Sequence, residues 1–154
     1  MNSKLFRLIP ITFLIHVLEE YLLGFPEWAS RHFGSITTVS FFILSHIPLI
    51  AIVIFASTIG AKGKPKSSQL VLGFIIQTVL FTNGLFHVVT SFMFDEISPG
   101  TFTSVAIYFP FSMYFYHYLV SKQQLSIRQF IIGFSIGSFI STLVILSLKM
   151  TIEA

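Results

Sequence analysis

Residues 14–23 are LIHVLEEYLL, and they lie inside the first long apolar run of the chain, residues 5–23. A run of this length is sufficient for an α-helix to cross a hydrocarbon core about 30 Å thick. A charged residue at the centre of a membrane helix costs about 2.5–3.5 kcal/mol on insertion scales, and such residues usually face an interior site. His16 lies one helical turn from both Glu19 and Glu20, so the three side chains share one helix face. This stretch therefore predicts a membrane helix that carries a functional site.

The composition indicates a membrane protein throughout. Of the 154 residues, 54% are hydrophobic and only 10% are charged, whereas soluble domains carry about 25% charged residues. The apolar runs cover residues 5–23, 37–57, 70–94, 101–120 and 130–148. Each run is apolar throughout, with occasional Gly and Pro residues, whereas the strands of a barrel alternate between apolar and polar residues. This pattern favours helices. The predicted fold is all-α: a polytopic membrane helix bundle of about five transmembrane helices, forming a single integral membrane domain over residues 1–154.

Basic residues occupy alternate loops between these runs. They lie at the start of the first run and after the second and the fourth: Lys4, Arg7, Lys62, Lys64, Lys66, Lys122 and Arg128. The positive-inside rule then predicts a cytoplasmic N-terminus and an external C-terminus, and the expected location is the plasma membrane of a bacterium.

Since the isoelectric point near 9.3 arises from these loop charges, no nucleic-acid partner is expected. The chain has no cysteine, which excludes a thiol nucleophile.

Further polar side chains fall at the same predicted depth as the two glutamates. With a rise of about 1.5 Å per residue, His46 lies near the centre of the second run, and Asn83 and His87 lie in the middle and outer half of the third. Asn83 and His87 are four positions apart and share a helix face. His46 fits a packing role equally well, and the alternative role for Asn83 is to join helices through amide hydrogen bonds. His117 lies near the inner interface within an aromatic belt and is expected to be structural.

Three ordered motifs support this choice of residues. The chain contains His16-Val-Leu-Glu-Glu20, then Asn83-Gly-Leu-Phe-His87, then Ser98-Pro-Gly-Thr101. Together they resemble the family of small polytopic membrane proteins named for its HXXEE motif, which has no assigned activity. The resemblance implies that these residues form the site and leaves the reaction open. His46 and His117 match no motif of that family.

A metal-assisted enzyme is the first hypothesis for this set. His and carboxylate ligands suit zinc or iron, and catalytic zinc sites commonly use three protein ligands with one open position. The predicted ligands of this divalent metal are His16, Glu20 and His87, with His46 in reserve. The predicted catalytic residues are Glu19, Glu20, His16 and Asn83. In this hypothesis Glu19 is the general base, and Asn83 orients His87 or polarises a substrate carbonyl group.

Two other mechanisms use the same residues without a metal. Two adjacent carboxylates can share a proton and, with His16 and His87, activate water. This arrangement is analogous to that of the glutamate-based CAAX-type intramembrane proteases, but Gly24 stands where those proteins have an arginine. Alternatively, ionisable residues within a membrane can form a proton relay or an ion site in a small transporter. A relay needs ionisable groups at several depths, whereas an enzyme concentrates them at one.

The predicted function is an intramembrane enzyme, a hydrolase or an oxidoreductase. Its expected partner is a membrane lipid or a lipophilic small molecule, because such molecules can enter between helices from the bilayer. The alternative is a small proton- or ion-coupled transporter or a ligand-binding membrane protein. A homo-oligomer is also compatible with the sequence, since a dimer would restore the symmetry that many transporters have.

Overall fold

A computed structural model describes residues 3–34, 38–62 and 66–150 of the chain. Its regular elements are all helical: α1 Ser3–Leu22, α2 Phe25–Phe33, α3 Val39–Gly60, α4 Ser67–Phe94, α5 Thr101–Thr103, a π-helical segment Ser104–Tyr108, α6 Phe109–Ser121 and α7 Ile127–Met150. The predicted all-α class is confirmed. The first residue of the second predicted span, Thr37, and the loop residue Lys64 lie outside the described residues.

Three of the described helices are long and apolar enough to cross a membrane. They are α3, α4 and the part of α7 from Ile127 to Leu146, with mean hydropathies of 2.5, 1.6 and 2.0. Helices α1 and α2 meet at a bend of 68° and add a fourth span if the pair is one broken span. The fourth predicted span, residues 101–120, is helical but contains the π-helical segment. Length and composition therefore support three or four spans, and a count of five stays a prediction.

The bend between α1 and α2 occurs at Gly24. Its φ of 72° and ψ of 46° lie in the left-handed region, where glycine has no Cβ penalty. Helix α2 is then held against the loop between α4 and α5, because Arg31 and His32 donate hydrogen bonds of 2.6 and 2.9 Å to the Glu96 carboxylate. The hydrogen bond from His32 and the charge of Arg31 hold the pKa of Glu96 below its usual value. This pairing places α2 and the loop beside the same end of α1.

The main apolar core extends along the bundle from its other end. The ring of Phe6 packs edge-on against Phe115 at a centroid distance of 5.1 Å, and it occupies the space that Gly60 and Gly73 leave open. At the start of α7, Gln129 donates a hydrogen bond of 2.6 Å to Ser67 at the start of α4. The ends of α1, α3, α4, α6 and α7 that carry most of the basic residues therefore meet here, and we call this the basic end.

Candidate functional site

His16, Glu20 and His87 converge at the end of the bundle opposite the basic end. His16 and Glu20 are one turn apart on α1, and His87 faces them from α4. The Nε2 atoms of His16 and His87 lie 3.5 and 3.0 Å from Oε1 of Glu20. All three residues are buried, with 0, 4 and 0% exposure, and one potential ligand atom from each lies within 4.8 Å of the others. The structure thus brings the three predicted ligands together, and we call the three residues the His/Glu cluster.

His46 approaches the cluster from α3. Its Nε2 atom lies 3.6 Å from Oε2 of Glu20, the oxygen that the other two imidazoles leave free. Its Nδ1 atom donates a hydrogen bond of 2.7 Å to the carbonyl oxygen of Phe42, which fixes the ring with Nε2 facing the carboxylate. The His46 side chain is 17% exposed, so it lies at the edge of the cluster. The structure thus places the reserve ligand beside Glu20.

Asn83 bridges the two buried histidines. Its Nδ2 atom lies 3.1 Å from Nε2 of His16 and 3.2 Å from Nε2 of His87. An amide NH₂ group has two hydrogens to donate, so one group can serve both rings. Asn83 is one turn before His87 on α4, and the sequence predicted that it orients this residue.

Hydroxyl groups after α4 hold the other ring nitrogens of these histidines. Nδ1 of His16 lies 2.7 Å from Oγ1 of Thr103, and Nδ1 of His87 lies 3.1 Å from Oγ of Ser98. Partners of this kind fix the tautomer and the ring orientation of metal-binding histidines. The sequence motif at residues 98–101 contains Ser98, but no pattern in the sequence identified Thr103.

The positions of the protons on these rings determine what the arrangement can bind. When Nδ1 of each ring donates to its oxygen partner, the Nε2 atoms of His16, His46 and His87 each carry one lone pair. At His16 and His87 that lone pair either accepts from the Asn83 amide or binds a cation, because it cannot do both. These lone pairs face the oxygens of the Glu20 carboxylate at 3.0–3.6 Å. Acceptors at such distances repel one another unless a cation lies among them. The geometry therefore suits a shared cation, either a divalent metal or a proton.

Glu19 has different partners from its neighbour Glu20. Its Oε1 atom accepts hydrogen bonds of 3.0 Å from the backbone N–H groups of Gly100 and Phe102, and Oε2 accepts one of 2.7 Å from Thr103. A carboxylate at a helix N-terminus satisfies N–H groups that have no partner within the helix. The Glu19 oxygens are engaged in holding α5 against α1, so the geometry favours a positioning role over the predicted role of general base.

We expect Glu19→Ala to destabilise the protein strongly. Hydrogen bonds to charged groups contribute about 1.5–3 kcal/mol each, so losing three of them should lower the free energy of unfolding by at least about 2 kcal/mol. Unfolding in mixed detergent micelles, followed by circular dichroism, measures the change. Glu27→Ala is the matched control, because Glu27 is exposed on α2. Equal stability of the two variants would refute this role for Glu19.

Tyr108 is a site residue that the sequence did not indicate. Its ring stacks on His16 with a centroid distance of 4.5 Å and an interplanar angle of 27°. It is completely buried, and its hydroxyl group has no hydrogen-bond partner among the described residues. Tyr108 ends the π-helical segment, and π-helical turns occur frequently at functional sites.

His117, by contrast, is exposed on α6, and no contact joins it to the cluster within the described residues.

The comparison with known proteins identifies one family. A family model described as "Protein of unknown function with HXXEE motif" matches residues 7–115, a range that includes the His/Glu cluster, Asn83 and Tyr108. No curated protein and no solved structure matches the chain.

Proposed function

The chain belongs to this HXXEE-motif family, and from its site geometry we propose that it is an intramembrane enzyme with a divalent metal centre. The proposed ligands are His16, Glu20 and His87, with His46 as a fourth. The observation that carries the proposal is the approach of three imidazole Nε2 atoms to one buried carboxylate at 3.0–3.6 Å. Five membrane crossings, by α1, α3, α4, the α5–α6 stretch and α7, are part of the proposal.

The ligand chemistry supports zinc or iron. Two histidines and one carboxylate occur in catalytic zinc sites and in non-haem iron(II) sites that keep open positions. Each imidazole here has its Nδ1 atom hydrogen-bonded to an oxygen, which is the outer support that metal-binding histidines usually have. A metal bound at this cluster would supply Lewis-acid activation of water or of a substrate carbonyl group.

Asn83, Tyr108 and Glu19 complete the proposed site. The Asn83 amide contacts the Nε2 atoms of both buried imidazoles; a metal bound to these atoms would release the amide, which is then placed to polarise a substrate carbonyl group. The ring of Tyr108 stacks against His16, and its hydroxyl group has no partner among the residues that the structure describes. It offers a donor to a bound substrate, because a buried hydroxyl without a partner is costly. Glu19 holds the start of α5 in place, and with it Thr103, whose hydroxyl group contacts Nδ1 of His16.

The surroundings of His46 support a lipophilic substrate. His16, Glu20 and His87 are almost fully buried, so the partly exposed His46 marks the side from which the cluster can be reached. On either side of it along α3, Leu44 and Ile47 are 66 and 58% exposed. In a membrane such side chains contact lipid, so a substrate that approaches His46 comes from the bilayer. A hydrolase or an oxidoreductase acting on a lipid-like molecule fits this access route.

The distribution of ionisable residues favours an enzyme over a transporter. The cluster residues lie at one level of the bundle, whereas a proton relay needs ionisable groups at successive depths. His117, the candidate for the inner half, is exposed on α6. The basic residues at the opposite end support an orientation with the basic end in the cytoplasm.

Turnover in lipid nanodiscs tests the proposed function. We expect protein reconstituted with zinc or iron(II) to convert members of a panel of lipophilic esters, amides and unsaturated lipids, assayed by mass spectrometry. Chelation should abolish turnover, and returning the metal should restore it. His87→Ala should reduce turnover by more than about 100-fold, while His117→Ala should leave it unchanged. Turnover that is insensitive to chelators would favour the metal-free carboxylate mechanism, and proton flux without turnover would favour a transporter; either result contradicts the proposal.

A further inference from the structure

A cavity lies between α1 and α3 near the basic end. Its volume is about 540 Å³. Six residues line it: Arg7, Pro10, Ser57, Thr58, Ala61 and Lys62. Arg7 precedes His16 by nine residues on α1, which corresponds to roughly 13 Å along the helix axis. The cavity is therefore separate from the His/Glu cluster.

Ser57 lines this cavity, and its hydroxyl group is buried without a partner in the described part of the chain. The residue is 2% exposed, and its Oγ atom has no hydrogen-bond partner among the described residues. The neighbouring Thr58 instead donates a hydrogen bond of 2.8 Å to the carbonyl oxygen of Ile54, as hydroxyl residues in helices often do. A buried hydroxyl group without a partner is rare and calls for an explanation. A ligand in the cavity that accepts a hydrogen bond would provide one.

The charge of the cavity selects an anion. Arg7 and Lys62 contribute two positive charges, and no acidic residue of the described part of the chain lines the cavity. The positive charge of Lys62 has a local explanation, because the free carbonyl groups at the C-terminal end of α3 attract cations. Arg7 comes from a different helix, and the macrodipole of α3 does not account for it. An arginine, a lysine and a hydroxyl group together form a donor set that suits a phosphate group.

Apolar side chains continue from the cavity along both helices. Ile11 lies one turn beyond Arg7 on α1 and is 51% exposed, and Ile54 lies one turn before Thr58 on α3 and is 45% exposed. A ligand with its phosphate group at Ser57 could therefore lay hydrocarbon chains against these residues. We propose that this cavity binds an anionic phospholipid through its phosphate group. The inference requires a membrane environment but does not depend on the chemistry of the His/Glu cluster.

Native mass spectrometry of detergent-released protein tests this site. We expect phosphatidylglycerol to be retained in preference to phosphatidylcholine with the same acyl chains. The double variant Arg7→Gln/Lys62→Gln should reduce phosphatidylglycerol binding by at least about tenfold, since bound phosphate depends on charge-assisted hydrogen bonds. The matched control is Lys122→Gln/Arg128→Gln, which removes the same charge from exposed positions at the same end and should leave binding unchanged.

Ser57→Ala separates lipid binding from folding. Because the Ser57 hydroxyl group has no partner in the described structure, its removal should not lower stability in lipid-free detergent, yet it should weaken phosphatidylglycerol binding. Equal loss of binding in the two double variants would show a non-specific charge effect and overturn the proposal. Inorganic phosphate that protects the protein against thermal unfolding as well as the lipid does would indicate a free-anion site, and would also overturn it.

Discussion

Glu20→Gln is expected to remove the metal binding that we propose for this protein. The Glu20 carboxylate contacts the imidazoles of three histidines, and glutamine keeps its shape but loses its charge and turns one oxygen into an N–H donor. Losing an outer-shell partner alone typically weakens metal affinity by about 10–100-fold, so losing a central ligand should weaken it by at least about 100-fold. Competition with a coloured chelator for zinc, or for iron(II) under anaerobic conditions, measures the affinity.

Glu19→Gln is the matched control for this experiment. It makes the same chemical change at the preceding residue of the same helix, but Glu19 contacts backbone N–H groups instead of imidazoles. This variant should keep its metal, with a loss of stability. Equal metal affinities of Glu20→Gln and the wild-type protein would rule out Glu20 as a ligand.

The second large effect is expected at Gly100. Its φ of 103° is unfavourable for any residue with a Cβ atom, and a Cβ atom built there would lie 2.9 Å from Cε1 of both His16 and His87. Gly100→Ala should therefore displace both imidazoles and weaken metal binding by at least about tenfold. Backbone strain of this kind should also lower the free energy of unfolding by about 1–3 kcal/mol. Chelator competition and detergent unfolding measure the two effects.

Gly24→Ala separates backbone strain from the contact with the imidazoles. Gly24 also has a positive φ, 72°, but a Cβ atom there would meet only the carboxylate of Glu27, at 3.3 Å. The variant should lose stability and retain wild-type metal affinity. Metal affinity that falls equally in both glycine variants would show that the loss follows from general destabilisation, contrary to the role assigned to Gly100.

The sequence predicted the long helices well and the short ones poorly. Apolar runs 70–94 and 130–148 correspond to α4 and α7, because burial in lipid demands long hydrophobic segments. Helix α2 was not predicted, since it is short and carries charged residues such as Glu27 and Arg31. The π-helical segment Ser104–Tyr108 was also not predicted, because one extra residue in a helical turn does not change the hydrophobicity of an apolar run.

The candidate site was predicted where helical spacing determines it. His16 and Glu20 are four residues apart, as are Asn83 and His87, so each pair had to share a face. Spacing could not distinguish Glu19 from Glu20, because both lie about one turn from His16. It also could not reveal Thr103 or Tyr108, since they reach His16 only through the packing of the segment after α4 against α1.

The most direct test of the central claim is the metal content of the wild-type protein. The protein is purified without chelators, and its metals are measured by inductively coupled plasma mass spectrometry. We expect close to one zinc or iron ion per chain, as a single mononuclear site predicts, and loss of that metal in His16→Ala and His87→Ala. Protein that carries no metal, and takes up none when titrated with zinc or iron(II), would contradict the metal centre proposed for the His/Glu cluster.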